Sequence, residues 1–486
     1  MQVRHVSLLS LILSIGCFGL LGQVTYHLPH VANGGNLIQT TYILVNNSPN
    51  DATVTLNVYD EDGDPTAVNI PGLNPTSPAG IELAAGETRL LTTHGQGDLV
   101  IGSATVISEG ADIGVSAVFT ILKDGGDAIL TEAGISTSEP MTSFSLAVNT
   151  VGEFNTGLAL ANLGGGATTL TFSLYNEAGN LADTAETTIQ EPHGHLAVFV
   201  DEAGGLFPTL GDFRGRLMVT ADGPVAALTL RQNTAKATPL TTLPVVPVSS
   251  SRKNFNLPHI ANGEGIKTQF VIFSLGLGGT VNLRLTDDNG DGLEATLSNG
   301  ETGSSFELAL PANGAIFVET TGTGALTGGS ARIESTVPVG LSSIFSLLDG
   351  QGNITVEAGV GDAPLRTAFT LPVDQSGGFR TGVALQNVSE SEAANVELTY
   401  YDDSGTPVGE LQQRVAPESV VALGHLAKFV DEMGFGTVTD TKGQLAVTSS
   451  IPIAGIGLRQ GAVAGTLTTL PVLPGTYDGG EGPEPL

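Results

Sequence analysis

The sequence predicts an all-β chain of four tandem β-sandwich domains in an A-B-A-B order. Three observations carry that expectation: the chain is duplicated, an alternating apolar pattern closed by a polar turn recurs four times, and the composition suits strands. The duplication opens with HLPHVANGGN at residues 27–36 and NLPHIANGEG at residues 256–265. SFSLAV (143–148) returns as AFTLPV (368–373), and FNTGLALAN (154–162) as FRTGVALQN (379–387). GHLAVFVDE (194–202) returns as GHLAKFVDE (424–432), and TTLPVVP (241–247) as TTLPVLP (468–474). The offsets drift between 225 and 230 residues, as loop insertions and deletions produce. Residues 25–247 and 254–474 are therefore two copies of one unit.

Each copy divides again. Val54, Leu56 and Val58 alternate with polar residues and YDEDG closes the run at Gly63. Leu170, Phe172 and Leu174 run to Gly179, Val281, Leu283 and Leu285 to Gly290, and Val396, Leu398 and Tyr400 to Gly405. Period-two burial means a strand with one buried face. A closing glycine supplies the positive φ of a tight turn. The four starts lie 116, 111 and 115 residues apart. That length, with frequent turns and no long amphipathic helix, suits an immunoglobulin-like sandwich. The 65 glycines, and the frequent Val, Thr and Ser, agree with an all-β chain.

In chain order, residues 1–22 read as a signal peptide. Arg4 and His5 give a short positive start, residues 6–21 an apolar stretch and Gly22 a small end. The stretch is too short and poorly flanked for a membrane span. The only cysteine, Cys17, follows Gly16 as in a lipobox, with Ser14 in place of the usual leucine, so a lipid anchor at Cys17 is a further expectation. Domain A1 takes residues 23–138, B1 139–248, A2 249–363 and B2 364–475; the tail, 476–486, has no apolar periodicity and is expected to be disordered. LPH(V/I)ANG is expected at the start of the first strand of each A domain. VSAVFTIL (115–122) and LSSIFSLL (341–348) read as central strands buried on both faces. In each B domain GHLA(V/K)FVDE reads as one short helix, because Leu196, Phe199 and Val200 fall at i, i+3 and i+4 and Gly204 can end it.

The paired A-B halves, the LPH-ANG openings and the TG-A-N strands resemble tandem β-sandwich modules of exported proteins from soil-type bacteria. The resemblance covers residues 25–474. Its motifs are structural, so it implies a fold and an exported location rather than an activity.

The formal charge of −31 argues against nucleic acid, which needs clustered Lys and Arg, and against an anionic membrane surface. Calcium is the first chemistry to weigh. Asp287, Asn289 and Asp291 with Gly292 match the start of a D-x-[DN]-x-[DN]-G loop, and Asp60, Asp62 and Asp64 keep the carboxylates in the first copy. The loop lacks the closing bidentate acid, since Ser298 stands at position twelve, and Pro65 replaces the glycine in the first copy. Plain hairpin turns are the competing reading. HLPH and HGH (193–195) offer histidine pairs, but the second copy has Asn256 and Leu423 in place of His27 and His193, so zinc has no repeated ligand set. No G-x-S-x-G elbow is present, and the acid pairs Asp201–Glu202 and Asp431–Glu432 read as the polar ends of the expected helices. Sugar stacking would fall to Tyr59, Tyr175, Tyr400 or Tyr401.

The expected function is non-enzymatic: an exported cell-surface or matrix protein acting as a spacer or adhesion module. Its partners would be surface or matrix proteins or glycans, and it would be capable of self-association. The alternatives are a calcium-dependent carbohydrate or protein binder and accessory domains of an extracellular enzyme system.

Overall fold

A computed structural model describes residues 23–476, apart from 75–76, 124–125, 127, 236–237, 418–419, 423–429, 436–437 and 462–465. The described chain is all-β and every strand pairing is antiparallel. No helix in it is long and apolar enough to cross a membrane.

Four groups of strands follow one another. The first holds β1 (Val24–Asn33), β2 (Ile38–Val45), β3 (Ala52–Asp60), β4 (Ala79–Leu83), β5 (Thr88–Thr92), β6 (Val100–Glu109), β7 (Gly114–Leu122) and β8 (Ile129–Ser136). The second holds β9 (Met141–Asn149), β10 (Phe154–Asn162), β11 (Thr168–Asn176), β12 (Leu181–Ile189), β13 (His195–Phe199), β14 (Arg214–Asn233), β15 (Leu240–Leu243) and the short β16 (Val246–Pro247). The third holds β17 (Asn254–Asn262), β18 (Ile266–Ser274), β19 (Gly279–Asp287), β20 (Ala295–Thr296), β21 (Thr302–Gly303), β22 (Ser305–Leu310), β23 (Ala315–Glu319), β24 (Thr327–Ser335), β25 (Val339–Leu348) and β26 (Ile354–Val360). The fourth holds β27 (Arg366–Asp374), β28 (Arg380–Gln386), β29 (Ala394–Asp402), β30 (Pro407–Val415), β31 (Val420–Ala422), β32 (Lys442–Gln460), β33 (Leu467–Leu470) and β34 (Leu473–Pro474).

One strand order recurs. The first group forms sheets β1-β6-β3-β4 and β5-β2-β7-β8, and the third forms β17-β24-β19-β22 and β23-β18-β25-β26. In the second group β14 does the work of two strands. Its first half pairs β9 and β11, its second half pairs β10 and β15, and the unpaired Asp222–Pro224 lie between the two ladders, where the register to β9 shifts. In the fourth group β32 pairs β27 and β29, then β28 and β33. Four apolar clusters lie between these layers, within residues 28–135, 141–227, 255–360 and 369–453, the first and third also taking in a few side chains of the following group. The alternating residues Val54 to Val58, Leu170 to Leu174, Val281 to Leu285 and Val396 to Tyr400 are all buried in them. The buried runs 115–122 and 341–348 form most of β7 and β25, central strands with neighbours on both edges.

LPH(V/I)AN forms the later part of β1 and β17 rather than their entry, and the glycine that ends the motif, Gly34 or Gly263, lies just beyond the strand. The ladder shifts register between Leu28 and Val31 and between Leu257 and Ile260. Pro29 and Pro258 stand at that shift, where a missing N–H costs no ladder bond. The helix expected at residues 196–204 is absent: residues 195–199 form β13, paired with β10 from Gly157 to Ala161. The segment is too short to meet the nucleation cost of a helix, and Val198, Phe199 and Val200 favour strand. In the second copy residues 423–429 lie outside the described residues, and Val430–Glu432 form a single 3-10 turn. The tail beyond 476 also lies outside them.

The last strands of the groups meet around one axis: β8 touches β15, β15 touches β26, β26 touches β33 and β33 touches β8. Gly134 and Gly359 permit this approach, since a Cβ on either would overlap the carbonyl oxygen of Thr469 or Thr242. The four groups therefore close into a ring, with the fourth packed on the first. Ile43, Val45 and Val118 enclose Leu470 and Leu473 at that closing contact.

Candidate functional site

The recurring polar turns begin as local structure. Asp60 Oδ1 accepts the N–H groups of Asp62 and Asp64 at 3.1 and 2.9 Å. Asp287 Oδ1 accepts those of Asn289 and Asp291 at 2.9 and 3.0 Å, and Asp402 Oδ1 those of Ser404 and Thr406 at 3.0 and 2.9 Å. Asn176 Oδ1 accepts the N–H of Asn180 at 3.0 Å. An acid or an amide serves equally here, since the backbone needs only a side-chain oxygen. Among the described residues no group of three or more His, Cys, Asp or Glu has a metal-holding arrangement.

The same turns then reach across to the next group. Glu61 O accepts the N–H of His195 at 2.9 Å, Glu177 O that of Ala315 at 3.1 Å and Asp403 O that of Thr88 at 2.9 Å. Each acceptor is the second residue of its turn, and each donor is the first residue of β13, β23 or β5. The turn glycines lie against the facing backbone. A Cβ on Gly63 would overlap Pro192 O, one on Gly179 would overlap Ala312 O, and one on Gly405 would press on Gly86. All three have positive φ, between 81° and 85°. The corresponding donor in the fourth group, position 425, lies outside the described residues. Asp288, the second residue of the turn that Asp287 opens, has its carboxyl pushed up by burial and by Asp287.

Around these joints sit groups that the sequence pattern did not single out. Arg459 Nη1 lies 2.7 Å from both carboxylate oxygens of Glu132, and its Nε and Nη2 bind Asp374 Oδ2 at 3.1 and 2.9 Å. Arg231 Nε binds Glu357 Oε2 at 3.0 Å. Thr120 and Ser346 donate to Glu132 and Glu357, and the two guanidinium groups lie over Phe379 and Phe154. Both pairs are buried, so each arginine needs its carboxylate. The signal was present in the repeats: TEAG and VEAG at 131–134 and 356–359, LRQ at 230–232 and 458–460. Arg216, which lies over Tyr175, donates to Ser274 O, and Gln444 in the matching position donates to Gly86 O.

The histidines of HLPH and HGH meet at the seam of the first and second groups. His30 Nδ1 lies 3.3 Å from His195 Nε2, with both rings buried. Burial lowers the His30 pKa to about 4. Burial first, and then His30, hold His195 well below the usual range. His193 stacks on Tyr59 with ring centroids 4.1 Å apart. Burial lowers His27 as well, with Glu139 opposing. Beside them an apolar cavity of about 260 Å³ is lined by His30, Phe119, Leu158, Phe199, Leu230 and Leu240. The remaining sequence candidates make local hydrogen bonds and ion pairs. Asp201 accepts the N–H groups of Leu210 and Gly211, Arg380 pairs with Asp431 and Glu432, and the Tyr400 hydroxyl bonds to Thr441. No protein-family model matches this chain, and no curated protein matches it.

Proposed function

We propose that the chain is an exported, non-enzymatic surface or matrix protein whose four domains, A1 (23–138), B1 (139–248), A2 (249–363) and B2 (364–475), act as one rigid adhesion block. The observation that carries this reading is the repeated joint. A turn carbonyl binds the first amide of β13, β23 or β5 in the neighbouring domain at three places, and one of them joins B2 back to A1. A closed ring of heterologous contacts favours a compact block over a string of spacers. The polar turns then serve the joints. Adhesion would use the outer loops and edges, several of them on one particle, so weak contacts would sum by avidity. The leader at residues 1–22 supports export, and Cys17 offers a lipid anchor.

The test is to express the full chain in a bacterial host, locate it by surface proteolysis and read its mature N-terminus by mass spectrometry. Beads coated with the secreted form are then passed over protein and glycan arrays with parallel assays for hydrolysis. Surface or medium recovery with binding and no turnover is expected. Retention in the cytoplasm, or turnover of any arrayed substrate, would sink the reading.

A further inference from the structure

We propose that the closing seam between B2 and A1 exchanges between molecules, so that a second copy of this chain is the partner of these two faces. The inference rests on the four-domain reading and not on surface location or adhesion.

Two seams of the ring use the same chemistry. B1 presents Arg231 to Glu357, the Glu177 carbonyl to the Ala315 amide and Arg216 to the Ser274 carbonyl of A2. B2 presents Arg459 to Glu132, the Asp403 carbonyl to the Thr88 amide and Gln444 to the Gly86 carbonyl of A1. The B1–A2 seam is tethered by the short run 248–253 between β16 and β17. The B2–A1 seam joins residues far apart in the chain and is held by contacts alone: Leu473 among Ile43, Val45 and Val118, and Asn47 Nδ2 on Pro474 O at 2.6 Å.

A heterologous contact closes into a ring or propagates between molecules, depending on which partner is nearer. Within one chain the tether through A1, B1 and A2 sets a high effective concentration, so the closed monomer dominates when the protein is dilute. At high concentration, or after the seam has opened, A1 of one molecule meets B2 of another and finds the same carboxylate, amide and apolar sockets. The charges favour this. When the seam opens, Arg459 keeps Asp374 of its own domain as a partner, so the freed B2 face carries no stranded cation. Glu132 becomes the only unpaired ion of the pair and faces solvent on A1.

The experiment mixes purified full chain in light and heavy isotopic forms, opens both in urea, refolds them at low and high concentration, and reads mass by light scattering. Cross-linking mass spectrometry then asks whether residues 80–136 and 400–475 are joined in mixed-isotope pairs. Two-chain and larger species that grow with concentration and carry those mixed links are expected. Glu132→Gln, which leaves Arg459 paired with Asp374, weakens the same contact in the closed and the exchanged forms and should speed the appearance of mixed links several-fold. A monomer at every concentration in both proteins would overturn the proposal. So would assemblies whose mixed links lie elsewhere, as on the exposed edges β12 and β30. The wild-type series decides the matter by itself if the variant does not fold.

Discussion

At His30 and His195 burial and mutual contact act in the same direction, toward the neutral imidazole. The folded-state pKa of His30 is about 4 against an ordinary 6.5. Its contribution is therefore complete above pH 6.5 and is lost as the pH falls from there toward 4. One pKa unit corresponds to 1.36 kcal/mol, so His30 alone removes about 3 kcal/mol across that window. His195, also lowered, adds to it, and a proton on either ring repels one on the other. Glu202 lines the same cavity as His30, and Glu139 opposes the lowering of His27. The urea midpoint is expected to fall steeply between pH 7 and pH 4.5, and His30→Phe should flatten that fall; an unchanged slope would remove the histidines from the seam's energetics. Glycine gives a second residue-scale expectation. Gly179 and Gly72 have similar positive φ values, 82° and 84°, but only Gly179 has backbone pressed against its Cα. Gly72→Ala should cost about 1 kcal/mol of backbone strain, and Gly179→Ala about 2–4 kcal/mol, because Ala312 must also move. Equal losses in a denaturant titration would show that the joint yields freely.

At the scale of elements, the alternation of apolar residues made β3, β11, β19 and β29 legible, because period two leaves a one-sided strand few alternatives. The same reasoning failed at residues 195–199. Apolar residues at i, i+3 and i+4 fit one helical face, but β10 offers that short segment a ladder, and a nine-residue window does not reveal a waiting partner. The fusion of two strands into β14 and β32 was likewise invisible, since Asp222–Pro224 between the two halves of β14 reads in the sequence as an ordinary turn. The polar turns were located correctly, and their side-chain chemistry invited calcium. Their geometry assigns the first aspartate to the turn's own amides. Asp287→Asn should keep the fold, since Asn176 fills that role unaided in β11's turn, while Asp287→Ala should cost about 1 kcal/mol. Thermal melts of the three proteins with calcium and with chelator are the check. A calcium-dependent rise in Tm that Asp287→Asn abolishes would return the turn to metal binding.

For the molecule as a whole, the duplication was legible in the sequence and the ring was not. Nothing local in TEAG or LRQ says that Glu132 meets Arg459 across 327 positions while Arg231 meets Glu357 across 126. A repeat pattern reports what each unit is, and only the packing of unlike faces decides how the units close. The two buried pairs are equivalent by position but differ in their surroundings, and that difference is measurable. Arg231 has Glu357 as its carboxylate and one amino group, Nη1, left without a hydrogen-bond partner. Glu357→Gln therefore strands a buried cation, at a cost of about 3–5 kcal/mol. Arg459 is shared between Glu132 and Asp374. Glu132→Gln leaves it paired, so its cost should be nearer 1–2 kcal/mol. Small-angle scattering separates the structural consequences. A closed ring of this length should give a radius of gyration of about 23 Å, and an open string of four sandwiches a much larger one. Glu357→Gln should lower the denaturation midpoint with the radius held by the tether between B1 and A2. Glu132→Gln should do the reverse, with a small loss of stability and a radius that grows in mild urea as the untethered seam opens. If the two variants behave alike, the seams are energetically interchangeable and the shared arginine at residue 459 confers no looseness on the ring.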